Sequence, residues 1–83
     1  MPLFMDVHEI AGGVAMDDVA QAHLADLQTQ ASHDVNYLRY WVDERAGRVF
    51  CLVEAPSADA AAEVHRQAHG LVADRIYQVQ EGS

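Results

Sequence analysis

A hairpin at the centre of the chain decides most of what the rest can become. Val35 to Asp43 (VNYLRYWVD) is aromatic and β-branched, the composition of a strand. Glu44-Arg45-Ala46-Gly47 turns the chain, and Arg48 to Ala55 returns as a second strand. A helical pattern stands on either side. Met16 to Ser32 carries Met16, Val19, Ala20, Leu24, Leu27 and Ala31 on one apolar stripe, with Asp17-Asp18 at the positive end of the dipole. Ser57 to Gly70 is Ala-rich, with Ser57 as its N-cap and Gly70 as its stop. Leu3 to Glu9 alternates in character as a strand would, before Gly12-Gly13. Leu71 to Gln80 supplies a last strand, and Glu81-Gly82-Ser83 a polar tail. The order is therefore βαββαβ, two split β-α-β units. This is the ferredoxin-like pattern of the α+β class, an antiparallel sheet with both helices on one face. Residues 1–83 form a single domain without a linker, an internal repeat or a low-complexity segment.

Eighty-three residues lie near the lower limit for one self-sufficient core, and such domains gain stability by pairing with a copy of themselves. Phe4, Tyr37, Trp41, Phe50 and Leu52 fit together on the sheet face away from the helices, although alternation does not settle which parity of each strand faces the helices. So aromatic a face reads as a homodimer interface or the lining of a cavity between two sheets, and the dimer is the expectation. The formal net charge of −8 argues against nucleic acid and anionic membrane surfaces and suits a metal cation. Cys51 is the only cysteine, so there is no intrachain disulfide and no CxxC motif, and a buried inert thiol is expected. No basic, apolar leader opens the chain and no run is long enough to span a membrane, so a cytoplasmic location is expected.

The histidines are the chemistry. His65 and His69 stand four residues apart on the second helix, a spacing that stacks both imidazoles on one side. Two neutral imidazoles can grip a transition metal such as nickel, zinc or copper, yet they make only half a site. In the ferredoxin-like topology, the end of the first strand and the end of the second helix share one edge of the sheet. His8, His65 and His69 map there, with His23 partway down its helix. On the helical wheel His23 falls inside the apolar stripe and reads as a core histidine. His65 falls on the flank of its stripe and His69 on the rim, so a surface site led by this pair is expected rather than one compact sphere. Asp6 shares a strand face with His8 and is either a ligand, a partner that orients a ligand, or the ion-pair partner of Arg39. His33 is expected to be solvated.

The blocks MDVHE (5–9), NYLRYWV (36–42), RVFCLVEAPSADAA (48–61) and VHRQAHGLVAD (64–74) cover nearly the whole chain. They resemble the short nickel-binding proteins of ferredoxin-like fold, a family also classed as a domain of unknown function. HRxAHG is the most distinctive piece. The resemblance implies a homodimer that binds and sequesters nickel(II), with His8, His65 and His69, and His23 from the AHLADL stretch, as the histidines carried over. The expectation is thus a non-enzymatic metal-binding protein using His65, His69, His8 and His23, with Asp6 or water completing the set. The alternative is a small cofactor-free enzyme, monooxygenase- or isomerase-like, of the dimeric α/β-barrel type. There His23, His65, Tyr40 or Cys51 would act as acid–base groups on an organic substrate.

Overall fold

A computed structural model describes all 83 residues, Met1 to Ser83. Its elements are β1 (Leu3–Glu9), α1 (Met16–Thr29), β2 (Asn36–Asp43), β3 (Arg48–Glu54), α2 (Ala58–Ala68) and β4 (Arg75–Val79), with a 3-10 turn at Gln30–His33 after α1. The sheet order is β2-β3-β1-β4, and every neighbouring pair is antiparallel. This is the split β-α-β arrangement that the sequence pattern predicts. Neither helix is long and apolar enough to cross a membrane.

Local chemistry explains the element ends. The Ser57 hydroxyl accepts from the Ala60 N–H at 3.1 Å, capping α2, and Gly70 leaves it at φ 84°. α1 stops at Thr29 rather than Ser32, because the chain tightens into the 3-10 turn and Asp34 leaves it in a left-handed conformation at φ 59°. β4 begins at Arg75 rather than Leu71. Before it, Asp74 binds β1 through its own N–H to the Val7 carbonyl (2.9 Å) and its carboxylate to the Glu9 N–H (2.6 Å). Gly47 (φ 71°) lies against the Ile10 backbone, where a Cβ would collide with the Ile10 carbonyl. The Ile10 N–H donates to the Gly47 carbonyl at 2.7 Å, tying the loop after β1 to the hairpin turn.

Two expectations about faces are corrected. A β-bulge lies between Tyr37 and Arg39: Tyr37 pairs with Val53 and Arg39 with Leu52, leaving Leu38 as the extra residue. The bulge turns both Tyr37 and Tyr40 toward the helices. Tyr37 is 3% exposed and Phe4 6%, so neither belongs to the open face, where Trp41, Phe50 and Leu52 do lie with Met5 and Tyr77. Arg39 is also on that open face and cannot pair with Asp6.

α1 also turns a different face inward from the apolar stripe read in the sequence. Leu24 and Leu27 are exposed, while Val19 and Asp26 are buried. The helix is rotated so that Asp26, about 20° from Val19 at roughly 100° per residue, points inward. A carboxylate takes a core position only where partners satisfy it. The core packs Phe4, Tyr37, Val49, Cys51 and Val53 of the sheet, with Val35 and Ala55 at its edges, against Val19 of α1 and Ala61 and Val64 of α2.

Candidate metal centre

The register of β1 and β3 sets one row of the helix-facing sheet surface: Tyr40, Cys51, Asp6 and Ile76 lie side by side across β2, β3, β1 and β4. His8 is two residues further along the same face of β1. α2 lays His65 over this row, and α1 brings Asp26 from the other side.

His65 is the centre. It is 1% exposed, and both ring nitrogens meet carboxylates: Nδ1 is 2.9 Å from Asp26 Oδ1 and Nε2 is 2.9 Å from Asp6 Oδ2. The chain of contacts continues at both ends. His8 Nε2 lies 3.3 Å from Asp6 Oδ1, and His69 Nε2 lies 3.1 Å from Asp26 Oδ1. Five alternating imidazoles and carboxylates therefore run without interruption through the interior, in the order His8, Asp6, His65, Asp26, His69. The Tyr37 ring stacks on His65 with centroids 4.4 Å apart, and its hydroxyl lies 3.1 Å from Asp6 Oδ2 and 2.9 Å from the Ala61 carbonyl.

A ring with a carboxylate on each nitrogen is held as the cation. Burial, the largest single influence, opposes the charge on His65, but the hydrogen bonds and charges of Asp26 and Asp6 together outweigh it and raise its pKa to about 9. Burial likewise pushes the Asp6 carboxyl up, yet the hydrogen bonds and charges of His65 and His8 overcome it and hold Asp6 well below the usual carboxylate range. Burial lowers the His69 and His23 pKa values, against the pull of Asp26. It raises the Tyr37 hydroxyl and the Cys51 thiol, with the Asp6 charge adding to both.

Two buried carboxylates face one imidazolium, so the cluster carries an excess negative charge. The contacts of Asp6 Oδ1 with His8 and of His69 Nε2 with Asp26 are close but lack hydrogen-bond geometry, so these two buried atoms are left without a hydrogen-bond partner. Orphaned nitrogen and oxygen atoms around an excess negative charge fit a divalent transition metal. Two donor groups are close enough to take one: Asp26, His65 and His69 on the Nδ1 side, and Asp6, His8, Cys51 and His65 on the Nε2 side, each with its ligand atoms within 4.8 Å of one another. A cavity of about 70 Å³ opens onto the cluster.

Of the residues singled out in the sequence, His8, His65, His69 and Asp6 come together. His23 does not join the donor groups; it lines the cavity with its ring 4.7 Å from that of Tyr40. These side chains gather in the interior rather than at the surface, with only the His69 side chain, 14% exposed, at the rim of the cluster. Tyr37, Asp6 and Asp26 supply the polar surroundings that draw His65 inside. Asp26 is the residue the sequence reasoning missed; its signal was a charge next to Val19 on the wheel and three residues from His23. His33 is not merely solvated, since its Nε2 lies 3.0 Å from Gln67 Oε1.

The family model described as "Nickel responsive protein SCO4226-like" matches residues 4–79. The chain belongs to this nickel responsive, SCO4226-like family. The crystal structure of SCO4226 from Streptomyces coelicolor A3(2) is 40% identical in sequence and superposes with a TM-score of 0.90, covering 98% of this chain and 99% of that one. No curated protein matches the chain. Likeness over nearly the full length of a SCO4226-like protein extends to β1, α1 and α2, the three elements that build the cluster.

Proposed function

We propose that this SCO4226-like protein binds a divalent transition metal, nickel(II) by its family's description, as cargo held at the His65 cluster, for sequestration in the cytoplasm. The observation that carries the reading is His65 wedged between Asp6 and Asp26 with unpartnered donors at Asp6 Oδ1 and His69 Nε2. Exchanging the His65 proton for a dication balances the two carboxylates. A monovalent ion would leave the charge where the proton had it.

For nickel the nitrogen and oxygen donors Asp26, His65 and His69 are the natural choice, with water from the cavity filling the remaining positions. Asp6 then keeps the Nε2 proton of His65, the carboxylate–imidazole arrangement that orients metal-bound histidines, and His8 braces Asp6. His23 shapes the cavity wall. At about 70 Å³ the cavity is well below the roughly 300 Å³ at which pockets for small organic ligands begin, which favours an ion over the organic substrate of a cofactor-free enzyme.

The same reading includes a homodimer. Trp41, Tyr77 and Leu38 are 47%, 49% and 45% exposed on or beside the open face of the sheet, next to half-buried Phe50 and Leu52. A second copy of that face is the simplest cover for it.

Isothermal titration of nickel into tag-free protein and its His69→Ala and His65→Ala variants tests the site. His69→Ala, at the rim, should weaken binding by at least about tenfold while leaving the circular dichroism spectrum unchanged. Equal affinity in wild type and both variants would overturn the assignment.

A further inference from the structure

The Nε2 side of His65 differs in kind from the Nδ1 side, because it contains a thiol. Asp6 and Cys51 are direct partners across β1 and β3, and His8 follows on the same face. Asp6, His8, Cys51 and His65 are all buried, and their ligand atoms lie within 4.8 Å of one another. A tetrahedral ion with bonds of 2.0 to 2.3 Å needs ligand atoms roughly 3.3 to 3.8 Å apart. Asp6 Oδ1 and His8 Nε2 are already 3.3 Å apart, so modest side-chain rotation closes the set. Asp6 Oδ1, in a residue 1% exposed, has no hydrogen-bond partner and lies among these donors.

We propose that Asp6, His8, Cys51 and His65 form a second, mixed nitrogen–oxygen–sulfur site that takes a thiophilic, tetrahedral divalent ion of the zinc class. The inference shares His65 with the nickel reading but stands on its own donors. On binding, the Cys51 S–H bond breaks, its electron pair forms the sulfur–metal bond and the proton leaves to solvent; the His65 Nε2 proton leaves in the same way. No electron is transferred. Thiolate and Asp6 carboxylate then neutralise the dication. His65 Nδ1 keeps its proton and donates it to Asp26 Oδ1 at 2.9 Å, the hydrogen bond that orients a metal-bound imidazole. A neutral imidazole has one free lone pair, so His65 serves one side at a time, and the zinc-class ion and nickel compete.

Cobalt(II) is the probe, because thiolate ligation gives it a near-ultraviolet charge-transfer band and tetrahedral geometry gives intense visible bands. Tag-free wild type should show both, and one equivalent of zinc should abolish them. Cys51→Ala should lose the charge-transfer band and bind zinc at least about tenfold more weakly, with nickel affinity unchanged. His69→Ala should keep the band while losing nickel affinity, which separates the two sites. Cys51→Ser, closer in size and polarity, guards against a packing defect in the alanine variant. Cobalt binding without the band, a band that survives in both Cys51 variants, or no cobalt binding would overturn the proposal even if nickel still binds. A band in a protein that does not take nickel would uphold this site and overturn the nickel one.

Discussion

His65 and Asp26, on different helices and 39 positions apart in sequence, meet at 2.9 Å between Nδ1 and Oδ1 inside the protein. With Asp6 on the opposite nitrogen, this contact makes His65 a buried cation and gives the fold a pH-sensitive centre. Removing either carboxylate leaves a buried charge short of a partner.

The loss should be large. Asp26→Ala is expected to destabilise the protein by about 3 to 5 kcal/mol at neutral pH, as breaking a buried pair does. For a domain of this size that lowers Tm by about 12 °C or more. Thermal unfolding followed by circular dichroism checks this, and a shift of only a few degrees would mean that the contact contributes little.

Stability should fall on both sides of a mildly acidic optimum. The His65 pKa is raised from 6.5 to about 9, so its contribution is complete below pH 6.5 and is lost as pH rises through 9. At 1.36 kcal/mol per pKa unit this amounts to something on the order of 3 kcal/mol. Asp6 is held below its usual 3.8, so its contribution is complete above that pH and lost as pH falls beneath it. Urea midpoints across the range should therefore peak between about pH 4 and 6.5. A flat profile from pH 6.5 to 9 would contradict the assignment of His65 as the cation.

His69 must change its hydrogen bonding to hold nickel. Its Nδ1 accepts from the Leu71 N–H at 3.1 Å, which places the neutral ring's proton on Nε2. Coordination through Nε2 moves the proton to Nδ1 and frees the Leu71 amide. Leu71 is exposed, so water can take the amide at little cost. Hydrogen exchange at Leu71 should speed up on nickel addition while the amides of β1 and β3 stay protected. Slower exchange at Leu71 would rule out Nε2 of His69 as the ligand atom.

The dimer is tested at Trp41. Trp41→Glu places a charge on the open sheet face without touching the His65 cluster on the other side. Light scattering should show a monomer where wild type is a dimer, with nickel affinity retained. A wild type that is monomeric at micromolar concentration would remove the dimer from the account.

Much of this was legible in the chain. The VNYLRYWVD…RVFCLVEA hairpin and the flanking helix patterns lead directly to the observed element order, because strand and helix periodicities are local. Topology alone brought His8, His65 and His69 to one edge of the sheet, but strand alternation did not settle whether His8 faces the helices. What the chain concealed depended on long-range satisfaction of polar groups. Asp26 reads as a solvated charge until His65 and His69 are placed opposite it. Leu24 and Leu27 look like core until that contact sets the rotation of α1. The bulge at Leu38 has no strong local signature, and it reverses the face of Tyr37 relative to Trp41. His65 went inside for the same reason: its partners lie 39 and 59 positions away.

The central claim is that a metal ion replaces the proton on His65. Titrating nickel into tag-free protein at pH 7.5, in buffers of different ionisation enthalpy, counts the protons released per ion bound. Because His65 is held protonated up to about pH 9, the account predicts release close to one proton and affinity rising about tenfold per pH unit from 7 toward 9. Binding with no proton release, and an affinity that levels off near pH 6.5, would contradict it.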